Sequence, residues 1–375
     1  MNINFHYFAV KTLACAAGFP ERQAQQIAKY SQFVDDYNPP SVMTCSNIPE
    51  HIQISDNLKL YVRSVTGNFR PVATGFTNAF EYAGLLLGRD QRMILSPFHF
   101  IPFDETVAGI SEHRVMPLAY GDNSLIDRFL HREVSGFGTA QNTNISLMRI
   151  GMLLHTFADT YAHQMFTGFV SWANRVSIIK ACSNITNEDC TPQVRDGIRI
   201  INAAMGNLPP IGHVQAGHNP DLSDITFSFS YVESAGDSDV QIHFQDNTET
   251  FIEAARQIYF YLHECQGFVV TSWEELAPKL RAGFLTEMPR RNTVASLAKH
   301  WGEIFPEYKY EYSASAIRRG FRVMPTSVGS FLRNALSAYS DEFYEYNVMA
   351  RELLIALYGL ERSPGTAHES SDYAL

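Results

Sequence analysis

The chain is poor in cysteine, in positive charge and in long apolar runs, and each shortage excludes something. Its five cysteines, Cys15, Cys45, Cys182, Cys190 and Cys265, are an odd, widely spaced set with no C-x-x-C pair. That excludes a disulfide framework and a thiolate metal knuckle, and leaves reduced structural thiols. Cys182 and Cys190, flanking SNITNED, are the one pair close enough in sequence for a local bridge in an exported protein. Lysine and arginine total 29 against 39 aspartates and glutamates, a formal charge of -10. Such a surface repels polyanions and argues against a non-specific nucleic-acid binder. No run of 18 apolar residues exists, so no transmembrane segment is expected. A GxSxG elbow, a P-loop and a dinucleotide GxGxxG are also missing; Gly136-Phe137-Gly138 is too short a fragment to count. The opening FHYFAVKTLACAAGF imitates a secretory signal, but no basic residue precedes the apolar run, and His6 and Lys11 interrupt it. The expectation is a protein cytoplasmic in the producing cell, or exported by a non-classical or effector-type route.

What is present is a globular composition, 45% hydrophobic and 18% charged over 375 residues. Apolar residues at helical spacing predict helices on both sides of Gly18-Phe19-Pro20, the second ending at Asp35-Asp36 before Pro39-Pro40. Alternation between Ile52 and Thr77 suggests short strands, with Thr66-Gly67-Asn68 as a turn, and a helix is expected over Ala79–Leu87. The strongest helical pattern runs from about Asn144 to Ile179. Residues 206–224 read as an ordered Gly/Pro-rich loop, TFSFSYV and DVQIHF as a hairpin, and 249–265, 272–285, 291–304 and 328–360 as helices. The fold expected is mainly α: a multi-helix, metal-bearing core with small β-hairpin insertions. Residues 1–225 would form the catalytic core, 226–361 a hairpin and helical part packed on it, and 362–375 a mobile tail.

Histidine is where chemistry gathers. His155-Thr156-Phe157-Ala158-Asp159-Thr160-Tyr161-Ala162-His163 is an H-x3-D-x3-H pattern inside the strongest helix. Four-residue steps drift by roughly 40°, so the three side chains form one stripe about 80° wide. A carboxylate between two imidazoles suits a polynuclear zinc site in which Asp159 bridges. The alternative is a polar helix face with i, i+4 hydrogen bonds, but the stripe sits among Leu153, Leu154, Phe157 and Ala158, where unpaired burial is costly. His6 lies among aromatics. Asp35 and Asp36 close a helix whose dipole invites a cation. His99 stands alone in the apolar stretch from Ile94 to Phe103, and His213, His218 and Asp221 occupy the glycine-rich loop.

Taken in order, His6, Asp35 in FVDD, His99 in PFHF, HTFADTYAH and GHVQAGHNPD resemble the ligand series of the zinc-dependent phospholipase C and single-strand nuclease superfamily. Within it, the chain is most similar to the phosphatidylcholine-preferring phospholipases C of the Pseudomonas and Legionella type. The resemblance covers residues 1 to about 225. It implies two or three zinc ions: one shared by Asp35, His99, His155 and Asp159, a second held by His6 and bridged by Asp159, a third held by His163 and His213. Two positions depart from it. The better-known branch chelates metal with a mature N-terminal Trp, and this chain has no Trp before Trp172. A carboxylate is expected four residues after the loop histidine, where Gly217 stands; Asp221 or His218 would substitute.

A zinc cluster fits phosphodiester hydrolysis because it neutralises the phosphate, acidifies a bound water and stabilises attacking and leaving oxygens in line. Asp35 and Asp159 are then the candidate catalytic carboxylates, with Asp36 as an understudy to Asp35 or a partner to a ligand histidine. Aromatics such as Phe98, Phe100, Phe103, Phe166, Phe169 and Trp172 either fill the core or line a lipid groove. An acidic surface suits a zwitterionic phospholipid at a membrane surface better than a nucleic-acid strand. A single-strand nuclease or nucleotidase, and a non-catalytic zinc-stabilised host-interaction module, are the competing readings. Arg318, Arg319 and Arg322 are expected at a solvated helix end, the competing reading being contact with phosphates or an anionic membrane surface. The polar C-terminal tail resembles the secretion signals of bacterial effectors, and fraying explains it equally well.

Overall fold

The computed structural model describes residues 1–62, 68–76, 88–139, 143–204, 209–267, 270–286, 293–323 and 338–359. It is mainly α-helical with small antiparallel sheets. A π-helical segment, Asn4–Ala9, runs into α1 (Val10–Ala16), and α2 (Glu21–Asp36) follows the turn at Gly18. Pro20 precedes α2 with an extended backbone, and Glu21 complements the helix dipole in its first turn. Next come β1 (Met43–Thr44), α3 (Glu50–Ile54), β2 (Tyr61–Val62) and β3 (Asn68–Phe69), the strands forming a small sheet in the order β1-β3-β2. Strand was expected from Ile52, yet Pro49 and Glu50 begin a helical turn there instead. Thr66-Gly67 and the helix expected over Ala79–Leu87 lie outside the described residues.

Beyond the short turns of 88–98, α4 (Leu125–Gly136) is capped by Ser124, and α5 (Thr143–Ala162) is the central helix. α5 is shorter than its apolar pattern predicts. Met165 adopts a left-handed backbone, and Gly168 lies so close to the Ser96 backbone that a Cβ there would sit 2.9 Å from the Ser96 nitrogen. The chain therefore turns, and Ser177–Ser183, which the periodicity assigned partly to helix, becomes β4. α6 (Thr191–Ala204) precedes the Gly/Pro-rich loop. β5 (Ile225–Val232) and β6 (Val240–Asp246) form the expected hairpin, and β4 pairs with β5 to give the order β4-β5-β6. α7 (Asn247–Gln266), α8 (Trp273–Phe284), α9 (Thr293–Ile304), α10 (Ala314–Gly320), the pair β7 (Arg322–Val323) and β8 (Ala338–Tyr339), and α11 (Asp341–Tyr358) complete the chain. Of the helix expected over 328–360, residues 328–337 lie outside the described residues, and the described helix starts at Asp341 after a Ser340 cap.

One apolar cluster runs from Met1 to Leu357 and joins α1, α2, α5, α7, α8 and α11. It crosses the boundary expected near residue 225: Phe5 stacks on Phe284 and meets Phe251 edge-on. A second cluster, built from Phe100, Phe166, Phe227 and Phe229 among others, lies under the three-stranded sheet. The contact that matters most for the site is α2 against α5. It is close because residue 151 is glycine: a Cβ there would stand 2.3 Å from the carbonyl oxygen of Ile27. One turn beyond Gly151 is His155, and two turns beyond Ile27 is Asp35. The helix approach therefore sets the distance between those two side chains. All five cysteines are free.

Candidate metal centre

Helix α5 is buried on nearly every side from Leu147 to Ala162, so the His155, Asp159 and His163 stripe has no solvent to pair with. It meets partners from four other parts of the chain instead: the N-terminal segment, α2, the segment at His99 and the 213–221 loop. Asp159 Oδ1 contacts the Met1 α-amino nitrogen and lies 3.0 Å from His6 Nε2. Its Oδ2 lies 3.0 Å from His99 Nδ1 and 3.2 Å from His155 Nε2. Asp35 Oδ1 stands 3.8 Å from His99 Nδ1 and 3.7 Å from His155 Nε2. At the other end of the stripe, Asp221 reaches His163 Nε2 at 3.1 Å and His213 Nε2 at 3.3 Å, and its Oδ1 lies 3.3 Å from the Met1 nitrogen. Three groups of potential ligand atoms result: His6 with His155 and Asp159; Asp35 with His99 and His155; His163 with His213 and Asp221.

Backbone carbonyls orient three of the rings. His99 Nε2 is 2.8 Å from the Thr74 oxygen, His163 Nδ1 2.6 Å from the His99 oxygen, and His213 Nδ1 2.8 Å from the Gly217 oxygen. A carbonyl only accepts, so each of those nitrogens carries a proton, and a neutral ring then has a bare lone pair at its other nitrogen. Those bare nitrogens face carboxylate oxygens, which in the ionised state are bare as well. His99 Nδ1 and His155 Nε2 also point at each other across 3.2 Å, and the His155 Nδ1 has no hydrogen-bond partner, so no carbonyl fixes which nitrogen of that ring carries the proton. Two lone pairs in contact repel unless a proton or a cation stands between them. Two ligands of one tetrahedral zinc, each at 2.0–2.1 Å, are about 3.3 Å apart. The donor set and its spacing could therefore hold a metal ion, and a carbonyl on the second nitrogen is the usual way such a ligand ring is oriented.

The electrostatics differ from ring to ring: burial lowers His99, but the hydrogen bond and charge of Asp159, with Asp35, outweigh it and raise its pKa. Burial pushes the Asp159 carboxyl upward, but the Met1 amine, His163, His155 and His6 outweigh it and hold it well below the carboxylate range. Asp221 is likewise held well down by His213, the Met1 amine and His163 against burial. Burial lowers His163 and drives His6 well below its ordinary value, so both favour the neutral form that a metal requires. Asp35 differs: its side chain is 32% exposed, yet desolvation in its recess raises its pKa. Gln32 donates to its Oδ2 at 3.1 Å and orients it.

Most of the expected residues converge here, and two do not. Asp36 turns away: its carboxylate accepts from Tyr312 Oη, and Arg318 donates to its carbonyl oxygen. The cation that the α2 dipole invites is thus a guanidinium at the helix end. His218 is exposed and precedes the short turn Asn219–Asp221 without a side-chain cap, outside every group. Gly217, where a carboxylate was expected, supplies the carbonyl that orients His213, and Asp221 reaches the position from farther along the loop. The Met1 nitrogen was not anticipated, because a side-chain motif cannot display a backbone donor. Phe100 stacks on His163 at 4.5 Å and Phe166 meets His213 edge-on at 6.1 Å, so these aromatics wall the third group; Phe98 and Phe169 are buried, and Phe103 is exposed.

Residues 1–355 match a family described as "Family of unknown function (DUF6765)". No curated protein and no solved structure matches the chain.

Proposed function

The chain belongs to the DUF6765 family, whose function is unknown, and from that premise we propose a zinc-dependent phosphodiester hydrolase, specifically a phospholipase C. Its substrates would be phosphatidylcholine-like glycerophospholipids, cleaved to diacylglycerol and a phosphorylated head group. The observation that carries this reading is the convergence of imidazole nitrogens and carboxylate oxygens, 3.0–3.3 Å apart, around Asp159 and Asp221. Ions bound there would neutralise the phosphate, acidify a water and stabilise the attacking and leaving oxygens.

The chain's own residues have distinct parts in this reading. Asp159 commits one oxygen to the His6 group and the other to the His99 and His155 side, and so ties two positions at a fixed separation. Asp35 combines partial exposure with a raised pKa, which suits a proton acceptor at the mouth of a buried cluster. Phe100 and Phe166 keep water off one side of His163 and His213. A net charge of -10 favours a zwitterionic head group over a polyanionic strand. Among the described residues no helix is long and apolar enough to cross a membrane; lipid would be met at the membrane surface.

The test is elemental mass spectrometry on protein purified without chelator or affinity nickel, followed by a panel of phosphatidylcholine vesicles and single-stranded oligonucleotides. Two or three zinc per chain with release of phosphocholine is the expected result. Oligonucleotide cleavage with intact phosphatidylcholine would transfer the same ions to a nuclease. Zinc without either activity would leave a non-catalytic module, and no zinc after add-back would sink the proposal.

A further inference from the structure

Strand β6 is the outer edge of the β4-β5-β6 sheet, with β5 as its one neighbour among the described residues. Its alternation places Val240, Ile242 and Phe244 on one face, and these are 61%, 67% and 68% exposed. Beside them on β5 stand Val232 opposite Val240 and two small hydroxyls, Ser230 opposite Ile242 and Ser228 opposite Phe244. The two serines leave Ile242 and Phe244 unsheltered on that face. Edge strands are usually blunted by a lysine, a proline, a bulge or short length. β6 has seven residues, no Lys, Arg, Pro or Gly, and an unbroken register with β5 from Thr226↔Asp246 to Val232↔Val240.

We propose that β6 pairs antiparallel with β6 of a second copy of this chain, about a two-fold axis through Ile242, merging two three-stranded sheets into one of six. The strand is self-complementary in that register. Val240 falls opposite Phe244, Ile242 opposite itself, and Gln241 opposite His243, so the apolar face meets apolar and the polar face meets polar. The flanking carboxylates avoid each other: Asp239 falls beside Gln245, and Asp246 beside Ser238. Moving the axis to His243 would set Val240 against Asp246, and moving it to Gln241 would set Phe244 against Ser238. A lipid surface is the poorer occupant, because hydrocarbon cannot satisfy the N–H and C=O groups along an open strand edge, whereas a second strand can. A two-fold pairing uses the edge once on each copy and closes, giving a dimer and no filament.

Sedimentation velocity on the full chain tests this. The wild type should be dimeric at tens of micromolar. Ile242→Lys, which brings two cations together on the axis, should weaken association by at least about a hundredfold with unchanged far-UV circular dichroism. Directly opposed residues have Cα atoms about 4.5–5.5 Å apart, within disulfide reach. Ile242→Cys should therefore give a covalent dimer on mild oxidation, while Ser234→Cys, at the hairpin tip, should not exceed the wild-type background. A monomeric wild type, a dimer indifferent to Ile242→Lys, or a monomer that floats with phosphatidylcholine vesicles through this strand would each overturn the pairing.

Discussion

His163 Nε2 and Asp221 Oδ1 stand 3.1 Å apart while the other ring nitrogen of His163 is committed to the carbonyl of His99. Burial lowers the His163 pKa and so favours its neutral ring, while His213 and the Met1 amine, against burial, hold Asp221 well below the carboxylate range. Two acceptors thus face each other in a buried site, a contact that a cation converts from repulsive to attractive. Asp221→Asn keeps the side chain's shape and removes its charge. The variant should lose about one zinc per chain, the others staying bound, by elemental mass spectrometry. An unchanged zinc content would remove Asp221 from the ligand set.

Asp159 belongs to the group of His6 and His155, and its second oxygen lies 3.0 Å from His99 of the neighbouring group, so its loss should cost more than one ion. Asp159→Ala should lower turnover by more than about a hundredfold, since loss of a mere supporting partner already costs 10–100-fold. Most helicity should remain, because α5 is held by apolar contacts along its length. A fully active, metal-replete variant would end the bridging assignment.

Gln32 touches no candidate ion position, but its amide holds Asp35 at 3.1 Å. Gln32→Leu should reduce turnover about 10–100-fold with little change in zinc content. Gln32→Glu replaces the donor with an acceptor and should be no better than Gln32→Leu. Wild-type rates in both variants would show that Asp35 needs no such support.

In an exposed helix, Gly→Ala stabilises by roughly 0.5–1 kcal/mol. At residue 151 the sign should reverse, since the new Cβ would sit 2.3 Å from the Ile27 carbonyl oxygen. Overpacking of this kind costs about 1–3 kcal/mol. Gly151→Ala should lower the Tm and, by spreading α2 from α5, weaken zinc retention through the Asp35 and His155 distance. Thermal unfolding with and without added zinc checks both parts.

Stripping metal should destabilise the wild type, because repulsion among facing acceptors is then relieved only by protonation or rearrangement. Zinc at a hundred times its Kd should restore about 2.7 kcal/mol per independent site. A Tm indifferent to chelator and zinc would argue that the cluster is filled by protons alone.

The H-x3-D-x3-H stripe was legible because helix periodicity is local: His155, Asp159 and His163 share a face wherever the helix goes. The end of α2 at Asp35 was legible for the same kind of reason, with two prolines following shortly after. Periodicity misjudged α5 beyond Ala162. Apolar spacing cannot register that Gly168 must pass against Ser96, or that Ser177–Ser183 finds a partner in β5 some 50 residues later. It could not choose among Asp36, His218 and Asp221 either, since that choice depends on where a loop and a helix end point.

By itself, then, the sequence determined which residue types could do chemistry and which short segments would carry them, because composition and helical geometry act over a few residues. The tertiary structure decided which carboxylates face which imidazoles, that a backbone nitrogen at Met1 joins them, and that carbonyls of Thr74, His99 and Gly217 set the ring orientations. Those relations link atoms up to 220 residues apart, and no local preference encodes such a distance. Close packing of α2 on α5 and the course of the 209–223 loop impose it.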